Sequence, residues 1–210
     1  MGRTPKKRGR DINGILVLDK PAGISSNGAL QHVKRLYNAN KAGHSGNLDV
    51  PASGLLPICL GEATKVSTYL LDSNKTYRAK CLLGVTTTTG DADGETLLKK
   101  PVDKLSEIDI KKICTKFVGE IEQVPPMYSA LKHNGRRLYE LAYSGIEVER
   151  KARKITIHRI DLLDFKNKEF WIEVSCTKGT YIRTLVEDIG NELACGAHIL
   201  SLRRLKAGPF

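Results

Sequence analysis

Strand-like and helix-like segments follow one another in this chain without a regular alternation. A buried strand is predicted at Gly14–Leu18, and Ser25 or Ser26 is predicted to cap an amphipathic helix that runs to about Tyr37. Parallel sheets need a long crossover, usually a helix, between paired strands, whereas antiparallel strands need only short turns. The irregular order therefore predicts an α+β fold with a mixed, mostly antiparallel central sheet flanked by helices.

The rest of the chain continues this mixture. Helices are predicted at about 62–71, 106–117, 137–143 and 183–194, and strands at about 55–60, 76–83, 154–164, 169–176 and 197–205. Gly119 is expected to terminate the second of these helices. Residues 38–54 and 86–95 lack periodicity, and the first stretch is dense in Gly, Asn, Ala and Ser. A long irregular segment between structured elements is usually functional, so residues 38–54 are the first candidate site.

The charge balance favours a polyanionic partner. The chain holds 34 Lys and Arg against 23 Asp and Glu, a net charge of +11. Five of the basic residues lie within the first ten, which hold no acid: Arg3, Lys6, Lys7, Arg8 and Arg10. We interpret residues 1–10 as a basic flexible arm and residues 11–210 as one folded domain. Such a charge distribution is typical of nucleic-acid binding, although a solvated tail on a basic domain has the same composition.

Several classes of protein are disfavoured by the same sequence. The longest uncharged apolar run, Leu55–Leu60, is far shorter than the roughly 20 residues of a membrane span, and the N-terminus lacks a signal-peptide pattern. The five cysteines are odd in number and scattered, so we expect buried thiols in a reducing cytoplasm. No phosphate-binding glycine loop and no metal-ligand spacing are present, so the sequence predicts no cofactor and no metal. The shortness of the apolar run predicts no membrane partner.

Four separated motifs carry a resemblance to a known family. They are GHSGNLD at 43–49, KTYRAKCLLG at 75–84, SCTKGTYIRTL at 175–185 and ILSLRRL at 199–205. Their order and spacing resemble the TruB family of tRNA pseudouridine synthases, and the opening RGRDINGILVLDKPAGISSN is similar to the bacterial members. The resemblance extends from about Arg8 to Phe210. It implies the pseudouridine synthase fold with an insertion that clamps RNA.

The resemblance also implies a reaction. A uridine in the T-loop of tRNA, at position 55 of the RNA, is isomerised to pseudouridine by a monomer without cofactor or metal. Taken alone, Asp49 is typical of a turn, but the family's catalytic aspartate falls on it. The carboxylate either attacks C1′ or supports deprotonation at C2′, and both routes stay open. Because C1′ is out of reach in a stacked loop, the target nucleotide is expected to be flipped out.

Other matched residues surround the expected base pocket. Arg183 matches the family arginine that pairs with the aspartate, and Tyr77 matches the tyrosine that stacks on the uracil. We therefore expect Asp49, Tyr77 and Arg183 to be catalytic. Residues expected to bind the substrate or support its pocket are His44, which fills the space of the extruded base, with Tyr77, Tyr181, Leu202 and Lys20.

Residues of about 123–152 correspond to the family's RNA-clamping insertion, which we call the insertion segment. Its Lys132, Arg136, Arg137 and Arg150 are expected to meet phosphates while Tyr128 and Tyr139 pack. The expected partner is the T-arm of tRNA. A catalytically silent tRNA-binding protein that helps RNA to fold is the alternative, because the same surfaces serve it.

Two departures from the family pattern bear on these expectations. The family usually has Pro directly after the aspartate, whereas here Val50 separates Asp49 from Pro51, which restricts Val50 to extended geometry. The family's C-terminal RNA-binding domain is expected to be absent from a chain that stops at Phe210.

Overall fold

The computed structural model of the protein describes residues 9–102 and 105–210. The strands are β1 (Gly14–Lys20), β2 (Ala42–His44), β3 (Ser53–Leu60), β4 (Lys75–Leu83), β5 (Val85–Thr87), β6 (Thr96–Lys99), β7 (Gly119–Gln123), β8 (Lys132–His133), β9 (Arg136–Arg137), β10 (Arg153–Lys166), β11 (Glu169–Cys176) and β12 (Ala197–Ala207). The helices are α1 (Ser26–Leu36), a 3₁₀ helix (Gly61–Val66), α2 (Ser67–Asp72), α3 (Glu107–Lys116), α4 (Leu138–Tyr143) and α5 (Ile182–Glu192). Residues 1–8 of the predicted arm lie outside the described residues, whereas Arg10 forms a bridge with Ala39.

The chain folds into two compact units, Met1–Lys75 with Arg203–Phe210, and Thr76–Leu202. In the first unit, β3 pairs antiparallel with β1 and β2, and parallel with the end of β12 through Arg203 and Arg204. Helix α1 packs Leu30 and Val33 against Leu56 and Ile58 of β3. This arrangement places the connection between β2 and β3 beside the C-terminal end of β12.

Helix α1 forms where the sequence predicts it because its ends carry local signals. The Ser25 side chain accepts a hydrogen bond of 3.0 Å from the Gly28 amide, which satisfies one free donor of the first turn. Lys34 and Arg35 lie in the last turn, where positive charge interacts favourably with the helix dipole. Asn38 follows with a φ of 50° and so takes the left-handed conformation that commonly ends a helix.

The second unit is built on the strand order β12–β4–β11–β10–β7. The long hairpin of β10 and β11 is antiparallel, as is the pair of β10 with β7. Helices α3 and α5 bury their apolar faces in one core that includes Ile110, Phe170 and Leu185. All five cysteines of the chain are buried, which confirms the predicted burial of their side chains.

The predicted α+β fold with a mixed, mostly antiparallel sheet is confirmed, and four local predictions are corrected. Residues 38–54 contain the short strand β2, and the polar loop 86–95 is flanked and partly occupied by the hairpin β5–β6. The helix predicted at 62–71 is a 3₁₀ helix followed by α2. Gly119 does not end a helix but begins β7, because α3 ends at Lys116 and the chain turns at Phe117.

No helix in the described part of the chain combines the length and the apolar character needed to span a membrane.

Gly54 lies at the pairing of β3 with β12 and tolerates no side chain. Its φ is +106°, and a Cβ there would lie 2.2 Å from the carbonyl oxygen of Arg204. We expect Gly54→Ala to lower the free energy of unfolding by more than about 2 kcal/mol, because the strands must separate. Gly119→Ala is the matched control, with a φ of +114° and open space, and should cost only about 1 kcal/mol. Equal losses in urea denaturation would contradict this account of Gly54.

Candidate active site

Asp49 lies on the loop between β2 and β3, residues 45–52, which we call the Asp49 loop. The Ser26 hydroxyl accepts a hydrogen bond from the Leu48 amide at 2.8 Å and donates to the Leu48 carbonyl at 3.0 Å. The Ser45 amide donates to the carbonyl of Pro57 at 3.1 Å. These three bonds attach the loop to neighbouring elements of the first unit. The backbone amide and carbonyl of Leu48 are therefore both hydrogen-bonded. The exposed Asp49 is the next residue.

The Lys20 side chain forms hydrogen bonds with the backbone of this loop and of the segment before α1. Its side chain is 0% exposed, and its ammonium donates to the carbonyls of Pro21 at 2.9 Å, Ile24 at 2.8 Å and Val50 at 3.5 Å. Burial lowers the pKa of Lys20, and the charge of Asp49 acts in the opposite direction. The Lys20 ammonium thus binds the backbone carbonyl of Val50, the residue that follows Asp49. The supporting role of Lys20 at the base pocket stays a prediction.

Arg204 is a second buried cation at the same loop, and sequence reasoning missed it. Its side chain is 1% exposed and donates to Leu55 at 2.7 Å, Asn47 at 3.3 Å and Gly46 at 3.4 Å, in each case to the backbone carbonyl. Two of these carbonyls belong to the Asp49 loop. The available signal is the strand alternation, which places Arg204 on the face opposite its exposed neighbour Arg203.

His44 precedes the Asp49 loop at the end of β2. It is half-buried, and burial together with the charge of Arg204 lowers the pKa of its imidazole below the ordinary value of 6.5. Both effects on the pKa favour the neutral form of the ring. Within the first unit, the fold thus gathers three of the predicted residues, Lys20, His44 and Asp49, around one loop.

The displaced proline lies in a tight turn. The Ala52 amide donates to the carbonyl of Asp49 at 3.1 Å, so that Val50 and Pro51 occupy the two central positions. The Val50 carbonyl also accepts a hydrogen bond from the Gly23 amide at 2.8 Å. With Val50 between Asp49 and Pro51, hydrogen bonds therefore hold the backbone at Leu48 before Asp49 and at Val50 after it.

Arg183 is the most constrained predicted residue of the second unit. It lies in the first turn of α5, is 5% exposed, and donates at 2.8 Å to each of the carbonyls of Thr89 and Tyr128. Its Nε lies 3.7 Å from a carboxylate oxygen of Asp91. The guanidinium is thereby oriented by two loops that sequence reasoning did not connect with it. Its pairing with Asp49 stays a prediction.

The other predicted residues of this unit adjoin its core. Tyr77 and Leu202 are partly buried and pack against the core cluster. Tyr181 precedes α5, and its backbone is held by Gln123, whose side chain accepts from the Tyr181 amide at 2.8 Å and donates to the Tyr181 carbonyl at 3.1 Å. Gln123 is therefore a buried positioning residue for the start of α5, and nothing in its sequence context indicated this.

Glu187 interacts with Arg183 and with two other acidic residues, Asp91 and Asp188. Burial, Asp188 and Asp91 together raise the pKa of Glu187 to about 7, although the charge of Arg183 acts against this change. Burial also raises the pKa of Asp188. Glu187 therefore changes its charge near neutral pH, unlike an ordinary glutamate.

The insertion segment has a small core of its own, in which Met127, Leu138 and Leu141 are buried. Lys132 and Arg136 are exposed on the hairpin β8–β9, which turns at Asn134-Gly135 with positive φ at both residues. These two cations are therefore accessible to a partner.

Two further cations of the insertion segment bind within it. Arg137 donates to the Ala130 carbonyl at 2.9 Å, and Arg150 donates to Pro125 and pairs with Glu147. The Tyr128 and Tyr139 rings both pack edge-on against Tyr143, in agreement with the packing expected of them. No contact with phosphate is tested by these observations.

Two family models match adjoining parts of the chain. The model described as the TruB family pseudouridylate synthase N-terminal domain matches residues 34–182. A second model, the C-terminal domain of tRNA pseudouridylate synthase B, matches residues 183–210.

Named relatives match along the whole chain. A tRNA pseudouridine synthase B of Nitrosococcus oceani is 60% identical over 210 residues, which cover 100% of this chain and 68% of the relative. The enzyme of the same name from Escherichia coli K12 is 54% identical over 206 residues, covering 98% of this chain and 65% of the relative. This chain thus spans about two thirds of the length of these relatives.

Solved structures share the fold. A Cbf5–Nop10–Gar1 complex aligns with a TM-score of 0.74 and 34% identity, over 94% of this chain and 49% of the matched chain. An H/ACA ribonucleoprotein bound to a substrate RNA containing 2′-deoxyuridine aligns with a TM-score of 0.71 and 30% identity, over 94% of this chain and 48% of the other. This chain therefore spans about half the length of the solved structures it matches.

Removal of the Lys20 ammonium should destabilise the first unit. Lys20→Met removes the donor from the carbonyls of Pro21 and Ile24 and leaves the Val50 carbonyl with the Gly23 amide alone, so we expect the free energy of unfolding to fall by about 2–4 kcal/mol. Lys65→Met is the control, because Lys65 is exposed and pairs with Glu62 at the surface, and should change stability by less than about 0.5 kcal/mol. Urea denaturation measures both, and a Lys20→Met protein as stable as the control would show that the carbonyls have other donors.

Glu187 should make stability depend on pH. Its pKa of about 7 in the folded state exceeds the ordinary value of 4.5, so the folded protein binds more protons between these values than the unfolded chain. The stability of the wild type relative to Glu187→Gln should therefore fall as the pH rises from 5 to 8. Urea denaturation at both pH values measures this. Glu192→Gln, at an exposed position of the same helix, is the control, and an equal response from both variants would contradict the prediction.

Proposed function

The chain belongs to the TruB family of pseudouridylate synthases, and we propose that it converts a uridine in the T-loop of tRNA, at position 55 of the RNA, into pseudouridine. The family match covers the Asp49 loop, Tyr77 and Tyr181, and the relatives align along the whole chain. The observation that carries the proposal is an exposed carboxylate, Asp49, on a loop held by the buried cations Lys20 and Arg204. Catalysis by one carboxylate needs such a fixed position, since small misplacements are costly in rate.

In the proposed reaction the uracil is detached and rejoined through a different atom. The bond from N1 to C1′ breaks, the base rotates, and C5 bonds to C1′, after which C5 loses its proton and N1 gains one. Asp49 either forms a bond to C1′ or assists loss of the C2′ proton, and both routes are compatible with its exposed position. The product is an isomer of the substrate, so the reaction itself consumes no redox or group-transfer reagent.

Arg183 is the proposed partner of Asp49. A guanidinium beside a carboxylate favours its ionised form even where water is excluded. Its bonds to Thr89 and Tyr128 leave it oriented before substrate arrives, which supports a role in fixing charge rather than in transferring a proton. Tyr77, Tyr181 and Leu202 are proposed to line the base pocket, and His44 to occupy the space of the flipped base. A neutral imidazole suits that position, because stacking against bases needs no charge.

The proposed partner is the T-arm of a tRNA, bound by a monomer in the cytoplasm. One of the solved relatives is bound to a substrate RNA, which supports an RNA partner. The exposed Lys132 and Arg136 are the best placed of the proposed phosphate contacts, because Arg137 and Arg150 each use part of their guanidinium within the insertion segment. Contacts by the basic arm of residues 1–10 remain part of the proposal.

The decisive experiment replaces Asp49 and follows the hydrogen at C5. The wild type should release tritium from 5-tritiated uridine in T-arm RNA, and Asp49→Asn should release none while it binds the RNA with unchanged affinity. Asp19→Asn is the matched control in the same unit, because Asp19 is exposed and pairs with Arg203, and it should keep full turnover. A wild type that binds RNA without releasing tritium would favour the silent RNA-binding protein, and turnover by Asp49→Asn would exclude Asp49 as the catalytic group.

A further inference from the structure

A cavity of about 470 Å³ lies within the second unit, between residues 88–97, the insertion segment and helix α5. Its lining does not include Asp49, Tyr77, Tyr181 or Leu202, so it is distinct from the proposed base pocket. The proposed isomerisation assigns no function to it.

The rim of the cavity exposes large apolar side chains. Leu97 is 66% exposed, and Val124 and Ile146 are each 45% exposed. Pro125 and Met127 extend the same apolar lining. Soluble proteins expose apolar side chains around a concave surface chiefly where they bind something.

One carboxyl group lies in this apolar lining. Glu187 lines the cavity, and its carboxyl group forms no hydrogen bond within the part of the chain that the structure describes. The group packs against the backbone of Gly90, where an added Cβ would lie 3.0 Å from the carboxyl carbon. The lack of a side chain at Gly90 therefore leaves room for it.

The charged groups around Glu187 come from three elements. Arg183 and Asp188 lie on α5 itself, Asp91 lies on the loop after β5, and Arg150 and Glu147 of the insertion segment line the same cavity. Glu187 titrates near pH 7 in this setting, so its carboxylate and its protonated form are both present at neutral pH. The carboxylate only accepts hydrogen bonds, whereas the acid also donates one.

The cavity adjoins the proposed catalytic arginine. Thr89 and Tyr128 both line it, and their carbonyls accept hydrogen bonds from Arg183. A ligand in this cavity would therefore contact residues that bind Arg183 directly. If Arg183 serves the target uridine, as proposed above, then a neighbouring nucleotide of the same RNA is within reach of the cavity.

We propose that this cavity binds a base next to the target uridine that carries an exocyclic amino group, and that Glu187 accepts a hydrogen bond from that group. A base has two flat apolar faces that suit the proline, methionine and isoleucine lining. Adenine, cytosine and guanine carry an exocyclic amino donor, whereas both exocyclic atoms of uracil are carbonyl oxygens that repel a carboxylate, so contact with an exocyclic group discriminates against uracil. The inference rests on the proposed function, since it assumes an RNA substrate.

The test uses T-arm hairpins in which each nucleotide flanking the target is replaced by uridine in turn. Binding is measured by fluorescence anisotropy and turnover by tritium release. For the wild type at pH 8, one replacement should weaken binding and raise KM about tenfold or more, the value of one hydrogen bond to a charged group. Glu187→Leu should abolish this difference between RNAs, whereas the exposed control Glu192→Leu should keep it.

A second variant separates recognition from a structural effect. Glu187→Gln retains an acceptor but does not titrate, so its preference should be equal at pH 6 and pH 8. The wild-type preference should be weaker at pH 6, where the carboxyl group is protonated and donates. If Glu187→Leu does not fold, this comparison decides, and a wild-type preference that does not change with pH would overturn the proposal.

The outcomes also separate this inference from the proposed function. Equal effects of every replacement on the wild type and on Glu187→Leu would overturn the inference, even if tritium is released normally. A wild type that shows the preference in binding but releases no tritium would support the inference and contradict the isomerase.

Discussion

Two buried cations hold the backbone of the Asp49 loop, and the rest of the proposed chemistry depends on that arrangement. Lys20 and Arg204 are both almost fully buried, and both bind backbone carbonyls rather than carboxylates. A buried charge is costly unless hydrogen bonds satisfy it, so the positions of these carbonyls are strongly specified. These hydrogen bonds restrict the backbone of the loop that contains Asp49. The proposed function is thus tied to stability, because the groups that stabilise the first unit also bind the loop that contains Asp49.

A comparable arrangement orients Arg183 in the second unit. Its guanidinium is held by carbonyls from two separate loops and by the charge of Asp91. One of these carbonyls belongs to Tyr128 in the insertion segment, so a movement of that segment changes the surroundings of Arg183. The structure therefore links a segment proposed to contact RNA with a residue proposed to act in catalysis. This link is a direct hydrogen bond and needs no longer pathway.

Features determined by nearby residues could be predicted from the sequence, and features determined by distant partners could not. Helix α1 was predictable because Ser25, the apolar spacing and the basic last turn are all local. Strand β2 was not, because the segment Ala42–His44 has no strand pattern of its own and exists through its pairing with β3. The burial of Arg204 depends on carbonyls about 150 residues earlier in the chain. The family resemblance located Asp49 and Lys20, but the bonds that hold them needed the fold.

The discontinuity of the first unit has a consequence for synthesis of the protein. This unit combines Met1–Lys75 with Arg203–Phe210, so the second unit is translated entirely between its two parts. During translation the Asp49 loop has no guanidinium to bind until residue 204 leaves the ribosome. Closing so long a loop carries an entropic cost and slows folding. We therefore expect the Asp49 loop to be among the last parts of the chain to become ordered, after the second unit has had time to fold as a unit.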